Sequence, residues 1–296
     1  MKKVILVIFC TTILMSGCSS NTADTVSNDV QQVNVSYDQM NNEGVGWGFV
    51  RKKGAPPEIP NSQKEVLRKY DCYYIDENAP KTLYLTFDEG YENGYTSKIL
   101  DVLEQTSTPA AFFVTGPYLE NQQELVHRMI DDGHIVGNHT VNHPNLPKQS
   151  VETEQKELSD LNKMCEEMYG VSMKYMRPPE GEYSERVLAV AKDMGYRTIL
   201  WSFAYKDWDI NMQQGADYAF NQVTPYLHDG AILLLHAVSS DNANALEDII
   251  NYAKNEGYTF KSLDELLSFT KTTSKLLKYT FLIHHICVYL NDYTDV

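Results

Sequence analysis

From Lys81 onward, short apolar runs alternate with stretches of helical periodicity, and this alternation sets the expected fold class. The segments 82–87, 110–115, 134–137, 174–176, 197–203 and 231–235 are short and largely apolar. That is the pattern of strands buried on both faces. Between them, Ile99, Leu100, Val102 and Leu103 follow Thr96 and Ser97 as cap candidates, and Leu125, Val126, Met129 and Ile130 end at Gly133. Val187, Leu188, Val190, Ala191 and Met194 end at Gly195, and Leu246, Ile249, Ile250 and Ala253 end at Gly257. Apolar residues three and four apart stripe one helix face, and glycine accepts the left-handed backbone that closes a helix. Strand–helix alternation predicts an α/β fold, a parallel sheet with crossover helices that is open or closed into a barrel.

The ionisable residues favour a barrel. Asp88 follows segment 82–87, His139 follows 134–137, and Arg177 ends 174–176. Asp207 follows 197–203, and His236 ends 231–235. All five lie at or just past the C-terminal ends of different strands. In a β/α barrel that is the face where loops converge on one active site.

The N-terminus carries a different pattern. Lys2 and Lys3 precede an apolar run, 4–15, that ends in Ser16-Gly17-Cys18. A basic start, a short apolar stretch and small residues mark residues 1–17 as an export signal, too short for an ordinary transmembrane helix. Met15-Ser16-Gly17-Cys18 resembles a bacterial lipobox. It implies lipidation of Cys18 and an extracytoplasmic lipoprotein held at the outer face of the cell membrane. Residues 18–44 are rich in Asn, Ser, Gln and Asp and read as a solvated tether. Residues 45–80, with Trp47-Gly48-Phe49 and a Pro-rich stretch over 55–60, read as an arm packed on a domain spanning 81–270. The tail 271–296 contains an apolar run, 279–290, too short to span a bilayer as a helix.

Composition narrows the function classes. A formal charge of −15 argues against nucleic acid as partner, since phosphate neutralisation takes a basic face. Five cysteines without CxxC spacing suggest neither a disulfide framework nor a zinc finger. Cys72 and Cys165 read as buried thiols, so stability must come from a core.

Two clusters carry candidate chemistry. His139-Thr140-Val141-Asn142-His143 sets two imidazoles at i and i+4, one face of a helix if the segment is helical, where a single cation can accept both nitrogens. Asp88-Glu89-Gly90 puts adjacent carboxylates in a turn after a buried strand. One can act as general base while the other binds a metal. His127, His134 and His228 are given no role.

These clusters resemble the five motifs of the polysaccharide deacetylase family, the family-four carbohydrate esterases. Thr86-Phe87-Asp88-Glu89-Gly90 is similar to the first motif and His139…His143 to the second. Arg177-Pro178-Pro179-Glu180-Gly181 is similar to the third, Asp207-Trp208 to the fourth and Leu234-Leu235-His236 to the fifth. Trp47-Gly48-Phe49, the segment 90–96, Gly137-Asn138-His139 and Asp241-Asn242-Ala243 resemble the delta-lactam-biosynthetic branch, which acts on muramic acid of bacterial cell walls.

The resemblance implies a distorted, incompletely closed β/α barrel and metal-dependent removal of N-acetyl groups from peptidoglycan glycan strands. It implies a divalent metal, zinc, on His139 and His143 with Glu89 as third ligand, and Asp88 as general base. It further implies His236 as general acid oriented by Asp207, Arg177 paired with Asp88, and the Glu180 backbone N–H at the oxyanion. Trp208 and Leu234 would line an acetyl slot, although core packing explains them equally well. The protein is expected to be a monomer. Two positions depart from the family pattern: Glu89 replaces an Asp, and Glu180 replaces an aromatic residue. Two other classes stay open, a glycosidase pairing Asp88 with Glu92 or Asp207 and needing no metal, and a glycan-binding homologue that has lost its metal.

Overall fold

The computed structural model of the protein describes residues 36–266. The export signal, Cys18, residues 18–35 of the expected tether, and the tail lie outside the described residues. The last part of the expected tether stays largely exposed but is docked on the domain. Tyr37 Oη donates to Asp193 at 2.8 Å, Arg186 N donates to Asn41 O at 3.1 Å, and Asn42 Nδ2 donates to Pro147 O at 2.7 Å. Polar composition suggested a tether there because partners distant in sequence were invisible.

In chain order the elements are β1 (Val45–Gly46), α1 (Asn61–Lys69), β2 (Cys72–Tyr73), β3 (Thr82–Glu89), α2 (Thr96–Thr106) and β4 (Ala110–Val114). Then come α3 (Gly116–Asn121), α4 (Gln123–Asp131), β5 (Ile135–Asn138), α5 (Val151–Tyr169), β6 (Tyr175–Met176) and β7 (Glu182–Tyr183). The last are α6 (Glu185–Asp193), β8 (Arg197–Ile199), α7 (Ala216–Val223), β9 (Ala231–His236), α8 (Ser240–Asn255) and β10 (Thr259–Phe260). The main sheet runs β10-β3-β4-β5-β6-β8-β2 with β9 also beside β3, every pair parallel. Phe203, beyond the end of β8, forms a parallel bridge to Leu233 of β9. Ile75, beyond the end of β2, forms an antiparallel bridge to Ala231 of the same strand, so the curled sheet meets itself only through isolated bridges, which makes it a distorted, incompletely closed barrel.

The alternation of β3 organises the core. Tyr84 packs with Ala111, Phe113, Tyr175, Ile199 and Ile232 inside the curl. Leu83, Leu85 and Phe87 pack outward against Ile99, Leu100, Leu246 and Ile250 of the helices. Successive strand side chains take opposite faces, so Thr86 and Asp88 share the inner side with Tyr84.

Some expectations need correction. The strand expected over 197–203 stops at Ile199, because the Ile199 and Leu200 carbonyls accept from Arg177 at 2.9 and 3.4 Å. Thr96 and Ser97 lie inside α2 and do not cap it; Glu92 Oε1 accepts from Thr96 N at 3.4 Å and also from Gly94 N. Helix α5 escaped the periodicity because two inward positions are Glu154 and Glu157. Glu154 pairs with Arg186 at 2.6 Å, and Glu157 accepts from the Asn142 backbone N and Nδ2 at 2.8 Å each. Ser150 caps this helix by accepting from Thr153 N.

The segment from 45 sits on the barrel. β1 pairs antiparallel with β7, and Trp47 Nε1 donates to Trp201 O at 2.8 Å. Trp201 and Trp47 crowd Gly181, whose φ is +67°; a Cβ there would lie 2.6 Å from the Trp201 ring. Only glycine fits that close approach, and it fixes the turn carrying Glu180.

Candidate active site

Arg177 at the end of β6 is fully buried and spends its donors on four acceptors. Nη1 donates to Asp88 Oδ1 at 2.7 Å and Nη2 to Thr86 Oγ1 at 2.9 Å, while Nε takes the Ile199 carbonyl and Nη2 also reaches that of Leu200. The guanidinium lies 4.2 Å over the Phe113 ring. This rigid fork holds Asp88 at one orientation. Burial pushes the Asp88 carboxyl toward protonation, but Arg177, with His139 and His236, outweighs it and keeps the pKa below the ordinary range.

His139, also buried, places Nδ1 2.8 Å from the Arg177 carbonyl. A carbonyl only accepts, so Nδ1 carries the proton and the Nε2 lone pair is left facing Asp88 Oδ2 at 3.6 Å. Burial drives the His139 pKa down to about 4 against the pull of Asp88. The ring is neutral at pH 7.

His143 is exposed, with its ring edge-on to His139 and centroids 4.8 Å apart. The helical face considered for this pair is absent: residues 139–143 form a loop in which Thr140 and His143 have φ of 69° and 55°. Asn138 Oδ1 accepts from Thr140 N at 2.9 Å, and Thr140 Oγ1 accepts from His143 N at 3.0 Å. The rings meet through these side-chain turns and the Glu157 clamp on Asn142.

On the neighbouring strand, His236 Nδ1 lies 2.7 Å from Asp207 Oδ1, and its backbone N donates to Asp207 Oδ2 at 2.9 Å. Burial lowers the His236 pKa, but the charge and hydrogen bond of Asp207, helped by Asp88, raise it above the ordinary imidazole value. With Nδ1 committed, Nε2 is the nitrogen available for chemistry. Trp208 is half-exposed, its ring centroid 5.7 Å from that of His236. Leu234 is buried and pairs in register with Thr86, on the same inner side as His236 and Asp88. Glu180 is exposed with φ 59° and ψ 5°.

Glu89 does not join the imidazoles. It is fully buried, both carboxylate oxygens lack a hydrogen-bond partner, and its alternation in β3 is that of Leu85 and Phe87. Burial first, then Glu92 and Asp88, pushes its carboxyl well above the ordinary value. The Glu89 carboxyl bears on Tyr118, on the helix side of β3. The expected Glu89–His139–His143 set is therefore not assembled, because adjacent strand positions cannot share a face. Among the described residues no three His, Cys, Asp or Glu side chains are grouped to hold a metal ion. What remains is the His139 Nε2 lone pair and the His143 ring, with Asp88 Oδ2 beside them. Two imidazoles next to a carboxylate suit a divalent cation with open positions.

Three supporting residues were given no role by sequence, although Thr86 and Asn242 lie in segments quoted for the family resemblance. Thr86 lay inside the first motif but offered no chemistry of its own. Tyr205 and Asn242 lie beneath Asp207; the signal for Asn242 was its place in the first turn of the helix that follows His236.

The polysaccharide deacetylase family model matches residues 76–199. The chain is 46% identical over 231 residues to the peptidoglycan-N-acetylmuramic acid deacetylase PdaA of Bacillus subtilis, covering 76% of this chain and 87% of that protein. The solved structure of that family 4 carbohydrate esterase superposes with a TM-score of 0.75 at 45% identity, over 77% of this chain and 99% of the other. A peptidoglycan-N-acetylglucosamine deacetylase of Bacillus cereus is 33% identical over 197 residues, 65% of this chain and 91% of its own length. By this likeness in sequence and fold, the chain belongs to the polysaccharide deacetylase family, the family 4 carbohydrate esterases.

Proposed function

We propose that the protein removes acetyl groups from amino sugars of peptidoglycan, with N-acetylmuramic acid as its sugar. One observation carries the reaction. Asp88 and His236 are register partners on adjacent parallel strands, one held ionised by Arg177 and the other biased toward protonation by Asp207. An ionised base and a protonated acid side by side are what amide hydrolysis needs.

A divalent metal on His139 and His143, for which we propose zinc, would supply Lewis acidity to the acetamide carbonyl and acidify a water. Asp88 accepts the proton of the attacking water through Oδ2 while Oδ1 stays on Arg177. The new C–O bond forms at the acetyl carbon, and the Glu180 N–H donates to the oxyanion while the Glu180 side chain stays in solvent. His236 Nε2 then gives its proton to the sugar nitrogen as the C–N bond breaks, leaving acetate and a free amine. Trp208 and Leu234 border the methyl group. The likeness to PdaA supports muramic acid as the sugar.

For a glycosidase, neither acid considered as the partner of Asp88 is free. Asp207 is bound by His236 and Asn242, and Glu92 caps α2. The sequence of segment 1–17 and Cys18 supports export and lipid anchoring at the outer face of the membrane, where peptidoglycan lies.

The test is acetate release from glycan strands by the purified full chain, with added zinc and with chelator. Release that needs metal, with mass spectrometry placing the free amine on muramic acid, supports the reading. No acetate from any muramic- or glucosamine-containing glycan in the presence of zinc would overturn it.

A further inference from the structure

We infer that Asn242 and Tyr205 are positioning residues that set the Asp207–His236 pair, an inference that rests on the deacetylase reading for its catalytic consequence. Asn242 lies in the first turn of α8, the helix that follows His236. Its Nδ2 donates to Asp207 Oδ2 at 2.6 Å and to the His236 carbonyl at 3.2 Å. Its Oδ1 accepts from the Tyr205 hydroxyl, and its backbone N donates to Ser239 Oγ at 3.1 Å. Asn242, Asp207 and Ser239 are almost wholly buried, and Tyr205 is 6% exposed.

The orientation of this amide is forced. A carboxylate and a carbonyl only accept, so the NH2 end must face Asp207 and His236. The oxygen end then faces Tyr205, whose hydroxyl must donate. Burial, followed by the charges of Asp207 and Asp241, pushes the Tyr205 pKa up and keeps that proton in place. The chain of donors therefore runs one way, from Tyr205 to Asn242 to Asp207. Asp207 Oδ2 is saturated by Asn242 and the His236 backbone N, which leaves Oδ1 to the His236 ring.

The consequence concerns the proton of His236. An acid that delivers from Nε2 needs Nδ1–H fixed on Asp207, and Asp207 can rotate unless its far oxygen is held. Asn242 holds that oxygen, and Tyr205 keeps Asn242 from flipping. The loop carrying Asp207 is tied to the same helix end. Gln213 Nε2 donates to the Asp207 carbonyl at 3.2 Å, and Asp241 accepts from Gln214 N and Gly215 N at 2.6 and 2.9 Å.

The test compares Asn242→Asp, Asn242→Ala and Tyr205→Phe in the zinc-loaded full chain. Asn242→Asp keeps the shape but presents a carboxyl group to Asp207; Asn242→Ala removes the amide. Both are expected to lower kcat for acetate release about 10- to 100-fold with KM within about twofold of wild type, and Tyr205→Phe to lower it less. Ring 15N resonances of His236 should shift in each variant, because the partner of Nδ1 has moved. Wild-type kcat and unshifted His236 resonances in both Asn242 variants would overturn the inference. So would a fall in kcat with His236 resonances unmoved, since that marks a merely structural residue. If the wild-type chain released no acetate, the deacetylase reading would fail, while the resonances would still decide whether Asn242 sets the His236 ring.

Discussion

Asp88 and Glu89 are adjacent in the chain and face opposite sides of β3. Asp88 meets Arg177 and His139 inside the barrel, while Glu89 is buried on the other side with no hydrogen-bond partner. Replacing Glu89 with the neutral isostere Gln should therefore leave metal retention and acetate release within about twofold of wild type. Stability should respond instead. Above the ordinary carboxyl value of 4.5 the unfolded chain gives up a proton that folded Glu89 keeps. Wild-type stability thus falls as pH rises from about 4.5 toward the raised folded value. At pH 7, Glu89→Gln should be more stable by about 1–3 kcal/mol, a gain that vanishes below pH 4. Urea melts of both proteins at pH 4 and pH 7 measure this. Loss of metal in the variant would return Glu89 to the ligand set.

The Arg177–Asp88 pair calls for a double-mutant cycle. Asp88→Asn leaves a fully buried guanidinium without its anion, and Arg177→Met leaves a buried carboxylate without its cation. Each single change should destabilise by about 3–5 kcal/mol, the usual penalty for an orphaned buried charge. The double variant should recover much of that loss. Activity should not recover: Asp88→Asn and the double variant should both fall by at least about 100-fold, because Asp88 is the base. Chemical denaturation and acetate release on the same four proteins separate the two roles. Additive stability losses would show that the pair is not energetically coupled.

How far the sequence revealed this site depended on the period of the pattern. Segments 82–87 and 231–235 read as strands because buried parallel strands are continuously apolar, and Asp88 and His236 at their ends followed directly. Helix α5 did not, because its inward Glu154 and Glu157 are satisfied by Arg186 and Asn142, partners that no local pattern shows. The two histidines were found by spacing, but a loop with two left-handed residues joins them where a helix was considered. Glu89 was assigned to the metal from motif position. The sequence pattern ended the strand at residue 87 and put both acids in a turn, whereas β3 runs on through Glu89 and its alternation separates the two side chains. Asn242 and Tyr205 were illegible as a pair, since their contact exists only after α8 folds onto the chain beyond β8.

Asp207 governs the pH dependence of His236. Burial alone would lower the imidazole pKa, and the charge and hydrogen bond of Asp207 reverse that. Activity that needs protonated His236 declines as pH rises through this raised value. Asp207→Asn removes the charge but not the shape, so the alkaline limb should move to lower pH and kcat should fall about 100-fold or more. The pair also links pH to stability. A raised folded histidine pKa stabilises fully below the unfolded value near 6.5, and the contribution is lost as pH rises through the folded value. Asp207→Asn should lose that stabilisation below pH 6. A pH–rate profile and melts at pH 5.5 and 9 check both. An alkaline limb that stays in place would assign it to another group.

His139 and His143 should separate when each is changed to alanine. His139 is buried and its Nδ1 donates to the Arg177 carbonyl. His139→Ala strips a buried carbonyl of its donor and opens space beside Arg177, so it should lower stability by about 1–3 kcal/mol as well as abolishing acetate release. His143 is exposed, and its ring makes an edge contact with His139. His143→Ala should fold with stability within about 0.5 kcal/mol of wild type. If both rings hold the metal, His143→Ala must still lose it. With Glu89 facing away, the protein set is short of a third ligand and one imidazole cannot compensate. Zinc retained after dialysis should therefore drop to background in both variants, with stability intact only in His143→Ala. Full zinc retention and activity in His143→Ala would restrict the site to His139 and Asp88.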